Sequence, residues 1–522
     1  MQNSLLASVT AILATLAMAS DAAAQGLELQ TAPSRWRLNY SDVAIPGGED
    51  MGMIGVHFEV LDPFAAAPNV FVGLGGFGAI SGDRGGFFTG GFSGGWRTHL
   101  ASGFHAEVGA FVGGGGGGAA PQGTGFMFRP FAAIEKEFGG LGFRLEVANT
   151  NFPGGDIDDT GLAFGITVPA EMLTGRRATS WDSPIPTKAI DFERWRIGSG
   201  LLRVWPNSSS GRLDGGAYAD KITLGGIQLA AEISDSSHIP VKVYGAIEGG
   251  IDGFAAVLSG YGISGELLSP ELLWELEALL GMGGGGEVDT GGGLLAAFSG
   301  GLRWRLADNW SAHMALGFLD APNGDFSGET FEVGVAWDPR MLRLRHTYDR
   351  SSLASQQLPA HEGIQDIWQA SAHYKLYKPK SDVRTKGGGR HESTLHLAGV
   401  GFERHISENI SILVRTAGAV EGDIGGYAEG TAGFRASYPA FESLPNCKVQ
   451  ATYEIGAAGG GGVDVGSGLI NQATIGWLWS PKPGFELGFD LGCMEAVGNG
   501  SFEADVIGFS FAFDIMRIIA AR

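Results

Sequence analysis

One pattern is written three times along this chain. A glycine tract at Gly113–Gly118 returns at Gly283–Gly286 and at Gly459–Gly462, at intervals of 170 and 176 residues. A glutamate lies just upstream of each tract: Glu107, Glu277 and Glu454. Well downstream of each comes an alternating run, Leu162–Val168, Phe331–Trp337 and Gly508–Phe513, followed by Met172, Met341 and Met516. Landmarks recurring at a near-constant interval mark tandem copies of one unit. The 522 residues therefore divide into three units of about 170 residues each.

Composition narrows the class. Glycine supplies 88 of the 522 residues, well over twice the ordinary ~7%, but in no collagen-like period. At 44% apolar and 17% charged, the chain is too hydrophobic to be disordered. A net charge of −21 argues against a nucleic-acid partner. Leu5–Ala19 is apolar and free of charge, and Ala22–Ala24 forms a small-residue cleavage site. Residues 1–24 are therefore read as a signal peptide, although no Lys or Arg precedes Arg35.

Beyond residue 35 the dominant period is two. In Phe485–Gly492 one face carries Phe485, Leu487, Phe489 and Leu491, and the other Glu486, Gly488, Asp490 and Gly492. Trp274–Ala278, Leu302–Leu306, Phe143–Val147 and Trp368–Leu376 alternate in the same way. Period two means strands with one apolar and one polar face. The polar faces carry full charges, among them Glu107, Arg129, Glu135, Arg144, Glu146, Arg303 and Glu332. A soluble sandwich turns apolar faces inward. An exported chain of long strands with charged second faces fits a transmembrane barrel, apolar side outward.

These features resemble the bacterial outer-membrane β-barrel superfamily. The unit is most similar to the small eight-stranded kind represented by the OmpA membrane domain. The resemblance is one of pattern, covers nearly all of the mature chain, and carries over no functional residue. It implies an all-β fold, location in the outer membrane of a Gram-negative bacterium, and contact with outer-membrane lipid.

Eight strands per unit are expected, starting in the first near Trp36, Met53, Val70, Gly86, Phe104, Gly125, Gly142 and Gly161. The expected units cover residues 25–169, 194–339 and 366–515, with linkers at 170–193 and 340–365 and a tail at 516–522. The two long junctions favour three small closed barrels over one barrel of about 24 strands, which would need only short hairpins there.

The glycine tracts are not followed by Gly-Lys-Ser/Thr, so no nucleotide loop and no cofactor is expected. Glu107, Glu277 and Glu454 are candidate lumen-facing acids at one repeated place, each expected to pair with an inward Arg of its own unit, with a cation path or a proton-linked solute site as the alternative. Asp156, Asp158, Asp159, Asp325, Glu329, Glu503 and Asp505 are candidate outer-loop acids, a hard-oxygen set of the kind that holds Ca²⁺ and equally the usual residues of turns. Lys378, Lys380, Arg384, Lys386 and Arg390 form the one strong basic patch, placed by strand parity on the outer side near anionic lipid headgroups, where a lipopolysaccharide contact and a solvated loop are both open readings. His391, Ser393 and His396 are the densest Ser–His cluster, but adjacent strand residues face opposite ways and make no ready triad. The expected role is therefore non-enzymatic, structural or surface-binding. A porin-like channel is the alternative and a lipid-modifying hydrolase the second alternative.

Overall fold

The structure is a computed structural model. It describes residues 29–175, 190–344 and 365–518, less short gaps at 63–66, 308–309, 339, 382, 392, 406–408, 423, 441–445 and 483–484. The expected signal peptide and most of both expected linkers lie outside the described residues.

The strands fall into three closed antiparallel barrels. The first comprises β1 (Leu29–Val43), β2 (Met51–Leu61), β3 (Val70–Ala79), β4 (Phe88–His99), β5 (Phe104–Gly116), β6 (Phe126–Phe138), β7 (Leu141–Asn151) and β8 (Asp158–Gly175). The second comprises β9 (Ile190–Pro206), β10 (Ile222–Ser234), β11 (Ser237–Glu248), β12 (Ala255–Ser269), β13 (Leu272–Gly284), β14 (Leu294–Ala307), β15 (Trp310–Asp320) and β16 (Ser327–Trp337). A short β17 (Arg340–Leu344) adds to the free end of β9. The third comprises β18 (Gln365–Pro379), β19 (Leu395–His405), β20 (Ile410–Glu421), β21 (Ala428–Pro439), β22 (Cys447–Gly459), β23 (Leu469–Lys482), β24 (Phe485–Ala496) and β25 (Glu503–Ile518). First strand meets last in each case, as at Trp36↔Val168, Ile197↔Trp337 and Ala370↔Phe513. The choice between three barrels and one is thereby settled for three.

Alternation dictates closure. Along β7, Phe143, Leu145 and Val147 are exposed while Arg144, Glu146 and Ala148 are buried. This is the inverse of a soluble sheet: the apolar side chains face out and the charges face in. In lipid no sheet edge can be left unpaired, so each unit completes its own hydrogen-bond ladder.

The strands run past the expected unit boundaries. β8 continues to Gly175, paired with Leu29, and β25 continues to Ile518, paired with Gln365. The residues set apart as a tail from Met516 thus begin inside a strand. Apolar periodicity fades where strands leave the lipid, yet the backbone ladder does not need it.

The two ends of each barrel differ. Turns such as Gly139-Gly140 and Pro270-Glu271 close one end. Longer loops close the other, the end that faces outward in such barrels. Beneath the outer loops each barrel holds an apolar plug. It is built around Phe87, Phe111 and Phe152 in the first, Phe254, Leu295 and Phe326 in the second, and Tyr427, Ile470 and Phe502 in the third.

Candidate functional site: glycine loops and sealed lumens

The glycine tracts open three copies of one ten-residue loop, Gly116–Gly125, Gly284–Gly293 and Gly459–Gly468. Their backbone hydrogen bonds repeat. Gly115 N–H donates to Gly125 O (3.0 Å), Gly283 to Gly293 (2.8 Å) and Ala458 to Gly468 (2.8 Å). Inside the loop Ala120 donates to Gly117 (3.0 Å), Val288 to Gly285 (3.1 Å) and Val463 to Gly460 (3.2 Å). Gly117, Gly285 and Gly460 take φ of 109°, 93° and 87°, a region that suits glycine because a Cβ would clash there. The one apolar side chain at the loop centre, Ala120, Val288 or Val463, is buried in the plug below.

These loops also join the barrels. In each pair the third strand of one barrel meets the fifth of the next: β3 with β13, β11 with β22, and β20 with β5. The loop after each third strand ends in Gly-aromatic: Gly86-Phe87, Gly253-Phe254 and Gly426-Tyr427. Its glycine lies on the neighbour's tract. A Cβ added at Gly86 would overlap the backbone of Gly284 and Gly285, and one at Gly459 would overlap Gly253. One at Gly426 would press on Gly117, and Gly85 N–H donates to Gly291 O (3.1 Å) across the first seam. Barrel one docks onto barrel two, two onto three, and three back onto one. A head-to-tail contact repeated in this way closes into a ring. Lys386 adds an ion pair to Asp252 across the second seam. At the other end of the barrels, Arg404 of barrel three lies 3.8 Å over the Trp337 ring of barrel two.

The lumens are filled by ions. In barrel one Arg35 reaches Glu59 (2.6 Å), Glu107 (2.5 Å) and Glu135 (3.3 Å). Glu146 joins Arg37 (3.3 Å), Arg129 (2.5 Å) and Arg144 (2.9 Å). The Arg37 and Arg144 guanidiniums also lie over the Phe131 ring, at 5.2 and 5.1 Å. In barrel two Lys242 bridges Glu277 (2.6 Å) and Glu332 (2.8 Å), His238 lies 3.1 Å from Glu277, and Tyr244 donates to Glu332 (2.6 Å). In barrel three Lys375 (2.8 Å) and Tyr377 (2.8 Å) converge on Glu429, while Arg435 pairs with Glu403. Thr431 (2.7 Å), Arg415 (3.3 Å) and Gln472 (3.3 Å) donate to Glu454. Buried charges persist where opposite charge and hydrogen bonds replace water.

The structure places Glu107, Glu277 and Glu454 in the lumens, each on the fifth strand of its barrel, but not at one repeated place. They lie ten, eight and six residues ahead of the equivalent Gly117, Gly285 and Gly460. Each step of two residues moves the acid about 7 Å along the strand. The true counterparts of Glu107 are Glu275 and Gln450. Aligning the tracts by their first glycine, rather than by the loop hydrogen bonds, hid this shift.

The outer-loop acids have local partners. Asp158 accepts from Asn149 (2.8 Å), Asp159 from the Ala44 N–H (3.2 Å), and Asp505 pairs with Lys380. Asp156 is held through its backbone N–H to Pro121 (2.9 Å), and Asp325, Glu329 and Glu503 are exposed. Among the described residues, no three His, Cys, Asp or Glu side chains converge as metal ligands. In the β9–β10 loop, hydrogen bonds from Arg212 and the Gly216 N–H hold the Asp214 carboxyl below its ordinary range. The basic patch divides. Lys380 and Lys386 are taken by Asp505 and Asp252, while Lys378, Arg384 and Arg390 stay exposed. His396 bonds to Tyr374 (2.6 Å) and lies 3.6 Å from Glu421, and His391 packs edge-on against Phe502.

Sequence reasoning missed the docking side of the seam. Its signal was present: a glycine followed by an aromatic, just ahead of the fourth strand, in all three units.

No family model matches the chain, and no curated protein matches it. Solved structures similar to it include OccK11 (OpdR) of Pseudomonas aeruginosa, at 13% identity over 96% of this chain and 100% of that one, TM-score 0.21. The siderophore receptor PirA from Acinetobacter baumannii matches at 8% identity over 95% of this chain and 81% of its own, TM-score 0.26. Pseudomonas aeruginosa OpdK with vanillate matches at 8% over 93% and 98%, TM-score 0.22. Superpositions at these scores carry no argument about function, and the class rests on the architecture. Closed antiparallel barrels, apolar outside, ionic inside and looped at one end, give this chain the architecture of a transmembrane β-barrel protein, as three eight-stranded barrels in tandem.

Proposed function

We propose that the protein is a non-enzymatic outer-membrane scaffold that presents a platform of joined outer loops above three sealed barrels. One observation carries this reading: every lumen is blocked at two levels, by a mid-barrel ion network and by an apolar plug under the loops. A solute would have to break buried ion pairs and displace packed aromatics in the same passage. The exposed Lys378, Arg384 and Arg390 supply the platform's contact with anionic headgroups such as those of lipopolysaccharide.

A channel is the second reading, and barrel two supports it best. Its network leaves a cavity of about 20 Å³ lined by Arg196, Lys242, Glu275, Glu277 and Glu332. That holds one water, so a channel there needs the network to open. Planar-bilayer recording separates the readings. The scaffold gives no steps above background. Regular steps that change with Lys242→Met assign conduction to barrel two and replace the scaffold reading.

A further inference from the structure

We infer that the seam is an interchangeable docking surface, and that a single eight-stranded unit binds two further copies of itself to form the same three-membered ring. The partner is a second copy of the unit, recognised through backbone rather than through matched side chains.

Three observations carry this. First, the receiving loop is one structure. Gly116–Gly125, Gly284–Gly293 and Gly459–Gly468 have equal length and the same internal hydrogen bonds, and each starts with three glycines. Second, the docking loop repeats its Gly-aromatic ending, and the aromatic side chain is buried in its own plug rather than in the neighbour. The group offered across the seam is thus peptide backbone, which every unit shares. Third, each unit docks by one patch and receives by another, and the contacts run one to two, two to three and three to one. A head-to-tail contact that closes after three members in the chain closes after three identical members as well. In the intact chain both patches of every unit are occupied, so the chain itself is left with no free seam.

Unit one suits the test best. Its receiving loop, Gly116–Gly125, contains no charged residue, so nothing there opposes its own docking loop. The second seam, by contrast, uses the Lys386–Asp252 pair. Unit one lends no strand to its neighbours and holds its own ion network and plug, so it contains what its folding requires. The atoms nearest to a Cβ at Gly114 are those of Gly418, Ala419 and Val420 of barrel three. Gly114→Leu therefore blocks the seam and leaves the barrel unstrained.

The experiment is native mass spectrometry of residues 29–175 in mild detergent, with heat-dependent gel mobility as the check that the barrel is folded. The expected result is three copies per particle for the natural unit and one folded copy for G114L. A natural unit that is folded yet single overturns the proposal, and so does a G114L unit that still gives three copies. A full-chain measurement covers the case in which the unit alone does not fold. Gly284–Gly293 is replaced by the sequence of Gly116–Gly125, and cysteines at Gly78 and Met282 report the first seam. The disulfide is expected to form as in the unexchanged chain. Its loss in a folded protein overturns the proposal.

Discussion

The lumens and the seams solve opposite problems. Each lumen must neutralise buried charge, and three different sets of residues do it. Barrel one uses arginines stacked on phenylalanines. Barrel two uses a lysine between two glutamates with a histidine beside it. Barrel three turns a lysine and a tyrosine toward one glutamate. At the place where barrel one has Glu107 and barrel two Glu275, barrel three has Gln450, which donates to Asp490. Each seam must bring two backbones together, and all three do it with glycine at the same loop positions. Charge balance has many solutions and close backbone approach has few. The seam therefore keeps its sequence from unit to unit while the lumen drifts.

The largest expected effect probes the lumen side of this contrast. Glu107→Gln gives barrel one the residue that barrel three carries at the same height. In barrel one it strips a carboxylate shared by Arg35, Arg97 and Arg144, leaving the buried network one negative charge short, with only Glu59, Glu135 and Glu146 to serve Arg35 and Arg144. Removing one member of a buried ion pair costs about 3–5 kcal/mol. The urea midpoint of barrel one should fall accordingly, followed by heat-dependent gel mobility. An unchanged midpoint would mean that the network does not hold that barrel together.

Gly285→Val tests the receiving loop of the first seam, through a contact inside barrel two. It forces a β-branched residue into positive φ, at roughly 1–2 kcal/mol, and adds overlap with Gly253, typically 1–3 kcal/mol. The substitution should loosen the outer end of barrel two more than its mid-barrel strands, read as faster hydrogen exchange at Ile251–Phe254. The same substitution at a strand glycine with open space, Gly430, should change exchange little.

A smaller effect is expected when a whole pair is removed. Changing Glu403→Leu and Arg435→Met together replaces a buried pair by apolar groups of similar size, which is often neutral or stabilising by 1–4 kcal/mol. Either single change should cost several times more than the double. Smallest of all, Asp505→Asn breaks a solvent-exposed pair with Lys380 and should leave the urea midpoint nearly unchanged, because water screens such pairs.

How much was legible follows from the same contrast. The strands were readable because lipid demands apolar side chains at every second position. Val70 and Phe104 open strands where the alternation placed them. The three units were readable from the repeat, and three barrels rather than one from the two long junctions between them. The lumen partners were not, because a side chain reaching across a barrel leaves no spacing rule in the sequence: Arg35 and Glu107 are neighbours only after closure. Glu107, Glu277 and Glu454 are buried at unequal heights, and that inequality required the loop geometry. The two cysteines are free thiols. Cys447 sits opposite Trp479 and Cys493 opposite Ala473, six residues apart on β23, or about 20 Å, too far for a disulfide.

The central claim is that barrel three docks back onto barrel one and so closes the ring. These two barrels are not neighbours in the chain, so their contact owes nothing to a short tether. The direct measurement is a disulfide across that seam, in a chain with Cys447→Ser and Cys493→Ala. Gly114→Cys and Val420→Cys place the two thiols where an added Cβ at Gly114 meets the Val420 side chain. The expected result is a disulfide within each single chain when it is assembled in the membrane, seen as a crosslinked peptide by mass spectrometry and absent after reduction. Two free thiols in a folded protein, or disulfides only between separate chains, would contradict the ring and leave three barrels on a string.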